Sequence, residues 1–127
     1  MHGRPRGGGE SRLETRDLEI QNLTRQCNET LILFILMDGG RHGYQLSLEI
    51  EETSGGLFRF NHGTLYPILH KLEKEGWIRG KWTSGGSKRK RRLYVLTAKG
   101  RKHAAAQRNA WRRFFDAFFR IVREVDR

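Results

Sequence analysis

Acidic residues are missing from one long stretch of this 127-residue chain: between Glu75 and Asp116 there is no aspartate or glutamate. The same stretch holds thirteen cations, Arg79, Lys81, Lys88, Arg89, Lys90, Arg91, Arg92, Lys99, Arg101, Lys102, Arg108, Arg112 and Arg113, against a net charge of +11, so the rest of the chain sums to −2. Charge segregated this way is the electrostatic footprint of a polyanion binder, since a merely solubilising surface intersperses both signs. Cysteine is almost absent too. With Cys27 alone, no intrachain disulfide can form, which points to a reducing, cytoplasmic setting. The longest apolar run, Leu31 to Met37, is far short of the roughly 20 residues needed to span a bilayer, so no membrane partner is expected. The opening MHGRPRGGGESR carries charge and glycine but no apolar core of a signal peptide.

Chemistry-bearing constellations are equally scarce. His2, His42, His62, His70 and His103 show no metal-ligand spacing with carboxylates or with Cys27, so no metal and no cofactor is expected. Phosphate-cradling glycine motifs, a nucleophile with its base, and a carboxylate dyad are all lacking, which argues against an enzyme.

The length allows one modest core. Residues 1–12 are rich in Gly and Arg and read as a flexible basic arm. Leu18, Ile20, Leu23, Cys27, Leu31, Phe34 and Ile35 then recur at helical spacing up to the stop Gly39-Gly40, and so wide an apolar surface predicts a helix packed on two sides. Tyr44 to Thr53 alternates like a strand, yet Leu46, Ile50 and Thr53 form a helical stripe and Gln45, Glu49, Glu51 and Glu52 favour helix, which is the reading adopted. A helix follows in which Leu65, Ile68, Leu69 and Leu72 make one apolar stripe, with Asn61 or Thr64 as its cap and Pro67 near its start. Trp77 to Thr83 and Arg91 to Leu96 flank the turn Ser84 to Ser87 as a basic hairpin. Thr97 then caps a last helix reaching about Val125, along which Trp111, Phe114, Phe115, Phe118, Val122 and Val125 make a stripe too large to leave in water.

Helix, strand, basic loop, strand and helix in that order describe a mainly α fold with a small β-hairpin wing: a winged helix-turn-helix over residues 13–96, followed by a C-terminal dimerisation helix over 97–127. The partners expected are double-stranded DNA and a second copy of the chain. The face of the third helix opposite its stripe, with Thr64, Tyr66, Pro67, His70 and Lys71, suits a major groove, and Lys88, Arg89, Lys90, Arg91 and Arg92 suit the flanking phosphates. Lys74, between Glu73 and Glu75, reads as solvated surface.

The segments His42-Gly43-Tyr44, Ser54-Gly55-Gly56, GTLYPILHKLEKEGWI at 63–78, Trp82, RRLYVLTAKG at 91–100 and Trp111, in this order, resemble the PadR family of transcriptional regulators over about residues 25–125. The resemblance implies a homodimeric winged helix-turn-helix repressor on a pseudo-palindromic operator, of the kind with one C-terminal helix. It implies a backbone contact for Tyr44 and a small planar aromatic effector stacked at Trp111; from the residues themselves, Asn61, Thr64 and Tyr66 join the DNA-binding face, and Leu31, Phe34, Trp111, Phe114, Phe115, Phe118 and Val122 are the expected dimer interface or effector pocket. The wing departs from the family pattern in its more basic KRKRR run. The alternative from composition alone is a non-specific nucleic-acid-binding architectural protein, distinguished by equal affinity for operator and random duplex.

Overall fold

A computed structural model describes residue 23, residues 27–83 and residues 91–125. The N-terminal arm, Leu18 and Ile20, the turn Ser84 to Ser87, and Lys88, Arg89 and Lys90 lie outside these. Helix α1 covers residues 27–36 and is followed by β1 (Arg41–His42), α2 (Gly43–Thr53), α3 (His62–Lys74), β2 (Ile78–Thr83), β3 (Arg91–Leu96) and α4 (Ala98–Val125). The strands form one antiparallel sheet in the order β1-β3-β2.

Tyr44 to Thr53 is helical, and the reason is visible in burial: Leu46 and Ile50 are enclosed while Leu48, which a strand would bury with them, is 45% exposed. In α3 the stripe behaves as its spacing predicts, with Leu65, Leu69 and Leu72 fully buried and Ile68 half-buried against them. Asn61 is the cap, accepting from the Thr64 N–H at 2.9 Å and the Thr64 hydroxyl at 3.0 Å. Pro67 falls inside the helix, one turn beyond the first, so the bond its N–H would have made to the Gly63 carbonyl is missing. The helix ends at Gly76, whose φ of +82° lets the Trp77 N–H return to the Leu72 carbonyl at 3.0 Å. That turn consumes Trp77, and β2 therefore starts at Ile78, one residue later than the alternation suggests.

Two expectations about packing need correction. In α1 the residues that enter the core are Ile32, Leu33 and Leu36, whereas Cys27, Leu31, Phe34 and Ile35 are only half-buried. The helix is apolar on two faces: Ile32, Leu33 and Leu36 are enclosed, and of the residues read from sequence Leu31 and Ile35 pack partly against the same core. The strand β1 was not foreseen: Arg41 and His42 pair with Tyr94 and Leu93 and give the hairpin a third strand. Arg41 is pinned there by Glu49, 2.8 Å from its Nε, and that bond holds its guanidinium above its ordinary pKa.

Thr97 caps α4 as expected. Its hydroxyl donates to the Gly76 carbonyl at 2.7 Å and accepts from the Gly100 N–H at 2.9 Å, so one side chain joins the end of α3 to the start of α4. Ala104 closes the core, and beyond it α4 is half-buried or exposed at every described position. Among the described residues no helix is long and apolar enough to cross a membrane.

Candidate nucleic-acid interface and aromatic groove

A basin of about 460 Å³ opens between the start of α2, the first turns of α3 and the base of the wing. Tyr44, Tyr66 and Arg91 line it together with His42, Trp82 and Arg92. The rings of Tyr44, Tyr66 and Trp82 are 55%, 45% and 64% exposed, unusual for three large aromatics grouped together. Gly43 favours the grouping: a methyl there would sit 3.2 Å from the Tyr66 hydroxyl, a tight contact, and without it the tyrosine lies close over the first turn of α2. His42 orders that turn. Its N–H donates to the Gln45 side chain at 2.9 Å, and its Nδ1 lies 3.2 Å from the Arg92 carbonyl.

Of the residues assigned to this face from sequence, Tyr44, Asn61, Tyr66, Pro67, His70 and Arg91 are exposed, and Thr64 is half-exposed with its hydroxyl on Asn61. Two of the assigned cations have partners inside the fold. The Lys71 ammonium is 2.7 Å from Glu29 of α1, which raises its pKa and turns it toward that helix. The Arg92 guanidinium is 2.7 Å from Glu73 of α3, its pKa likewise raised by that bond. It also lies over the rings of Trp82, at 5.3 Å, and Tyr94, at 5.9 Å. The Tyr94 phenol is pushed up by burial. Glu29 and Glu73 were not singled out in the sequence, where nothing local pairs an acid with a cation 42 or 19 residues away.

A second, more apolar groove of about 490 Å³ lies between α1 and α4. Leu31, Phe34, Trp111 and Phe115, four of the residues grouped from sequence, line it together with Cys27, Phe58, Arg108, Arg112 and Asp116. Trp111 and Phe115 stack with centroids 5.5 Å apart and planes 24° apart. Phe114 is not part of this groove; with Trp111, Gln107 and Ala110 it lines a smaller depression of about 280 Å³ on a neighbouring face of α4. The predicted stripe is thus wider than one seam. It forms two ladders, Phe114–Phe118 and Phe115–Phe119, with Phe119 and Ile121 added to those foreseen, and Val122 is half-buried. The four phenylalanines are 44% to 56% exposed.

Comparison with known proteins agrees with this geometry. The model of the transcriptional regulator PadR-like family matches residues 32–106, more than half of the chain. The negative transcriptional regulator PadR of Bacillus subtilis is 34% identical over 71 residues, which are 56% of this chain and 39% of that protein's length. The crystal structure of that PadR in complex with operator DNA superposes with a TM-score of 0.57 at 30% identity, over 62% of this chain and 45% of that one. A PadR family transcriptional regulator from Eggerthella lenta shares the fold more completely, with a TM-score of 0.74 over 89% of this chain and 96% of that one, at 22% identity. With its three-stranded wing, its α3 stripe and its long terminal helix, the chain belongs to the PadR-like family of transcriptional regulators.

Proposed function

We propose that the chain is a sequence-specific DNA-binding repressor that acts as a homodimer on a pseudo-palindromic operator, with residues 13–96 as the DNA-binding unit and 97–127 as the dimerisation helix. The observation that carries the reading is the basin that Tyr44, Tyr66 and Arg91 share, beside the exposed start of α3. Hydroxyls and a guanidinium at a helix start meet the needs of backbone phosphates, while Thr64, Pro67 and His70 on the same helix face the bases. Lys88, Arg89 and Lys90 extend the cationic surface in sequence. The exposed phenylalanine ladders of α4 support a second copy as their cover, since side chains of this size clustered on one helix favour burial in a partner. The groove at Trp111 is the seat we assign to a small planar aromatic effector, held between Trp111, Phe115 and the α1 residues Leu31 and Phe34.

Selection of bound fragments from a random duplex library, followed by fluorescence anisotropy at fixed salt, tests the reading. The selected sequence should bind about 10³-fold or more tightly than random duplex. A ratio near one assigns the chain to non-specific nucleic-acid coating instead.

A further inference from the structure

We infer that Glu73 is a positioning residue for operator selection: through Arg92 it holds the wing at one setting against the recognition helix α3, and Arg92 serves this strut and not a DNA phosphate. The inference rests on the DNA-binding reading above. One carboxylate oxygen, Oε2 of Glu73, accepts from Arg92 Nη2 at 2.7 Å and from the Gly80 N–H at 3.2 Å. A single α3 side chain thereby grips both strands of the hairpin, β3 through the guanidinium and β2 through its backbone. Gly80 is the opening through which the grip passes, because a methyl at that position would collide with the Arg92 guanidinium. Outward from there, Trp82 is opposite Arg92 in the ladder, and the indole covers the guanidinium from the wing side. The Arg92 side chain is about one-third exposed and that of Glu73 less than one-quarter. A guanidinium bonded to a carboxylate and lying over an indole is held by partners inside the fold, and it transmits the orientation of α3 to the wing. Groove and phosphate contacts must be made together, so the angle between these two elements decides which duplex geometries fit both.

The experiment compares wild type with Glu73→Gln and Arg92→Gln, each on selected operator and on random duplex across a salt series. Glu73→Gln keeps an oxygen for the Gly80 N–H and removes the charge. It should lower the operator-to-random ratio about tenfold, equivalent to about 1.4 kcal/mol, while the released Arg92 steepens the log K against log[salt] slope on random duplex by about 0.9. Arg92→Gln should lower the ratio to a similar extent and leave the slope unchanged. A slope flattened by about 0.9 in Arg92→Gln, with the ratio intact, makes Arg92 a phosphate contact and overturns the strut. In the free protein, Glu73→Ala should speed hydrogen exchange at the Gly80 amide; unchanged protection also overturns it, whatever the DNA results. A wild-type ratio near one, by contrast, refutes the DNA-binding reading, and the Gly80 exchange then still judges the strut.

Discussion

The imidazole of His103 lies flat on the indole of Trp77, with ring centroids 4.0 Å apart and planes 15° from parallel. Lys99 covers the same indole, its ammonium 4.6 Å from the ring centroid, and donates to the Glu75 carbonyl at 3.1 Å. Between these two residues Gly100 brings the backbone of α4 against the Trp77 carbonyl, closer than any side chain allows. The start of the long helix is thus seated on the junction of α3 and β2.

Gly100→Ala should therefore destabilise the fold although alanine is the better helix former. A methyl would overlap the Trp77 carbonyl, and overpacking of this kind costs about 1–3 kcal/mol, against a propensity gain of about 1 kcal/mol. Thermal unfolding followed by circular dichroism should show a lower Tm; a rise would mean that α4 shifts freely on its seat.

At the start of α3, Asn61→Ala removes the acceptor for both the Thr64 N–H and its hydroxyl. Loss of such a cap costs about 1 kcal/mol of stability, measurable by urea denaturation. Tyr66→Ala and Thr64→Ala should instead act on DNA, reducing operator discrimination by about 1–3 kcal/mol where a base contact is lost. Equal losses on operator and random duplex would limit both residues to the backbone.

The wing is tested separately. Replacing Lys88 and Arg91 together by Ala should weaken binding to both duplexes alike and flatten the salt slope by about 0.9 for each lost phosphate contact. A slope identical to that of wild type would remove the wing from the interface.

Dimerisation is tested most directly at Phe118, which stacks on Phe114 and is outside the lining of the α1–α4 groove. Phe118→Asp should leave the fold of one chain intact, because the ring is 49% exposed in it. At a buried interface the same change should cost about 2 kcal/mol or more, a rise of roughly 30-fold in the dimer dissociation constant. Sedimentation velocity over a concentration series reads this out, and a weight-average mass unaffected by the substitution would place the interface elsewhere.

In the α1–α4 groove, Cys27 supplies a second reporter beside Trp111. Burial pushes its thiol pKa up, so the reactive thiolate is scarce near neutral pH and alkylation should be slow, accelerating as pH is raised. A planar aromatic ligand in the groove should quench Trp111 in a chain carrying Trp77→Phe and Trp82→Phe, and should protect Cys27 from iodoacetamide. If a broad panel of such ligands does neither, Trp111 is a structural residue only.

What the sequence alone determined are features set by neighbours a few residues away. The burial of Leu65, Leu69 and Leu72, the hairpin from Ile78 to Leu96, the stop at Gly76 and the cap at Thr97 each follow from spacing or from one residue's backbone preference. The same holds for the apolar ladder of α4, whose period is written in its phenylalanines. Tertiary structure decided matters of partnership. Only the packed fold selects which of two apolar faces α1 buries, because both have helical period and differ only in what stands opposite them. Only long-range register adds β1 to the sheet, since a pair of residues carries no periodic signal. The roles of Lys71 and Arg92 were likewise undecidable from a basic run. Charge count is a property of the segment, whereas which cations find a partner inside the fold depends on Glu29 and Glu73, brought within 2.7 Å of Lys71 and Arg92 by helix packing.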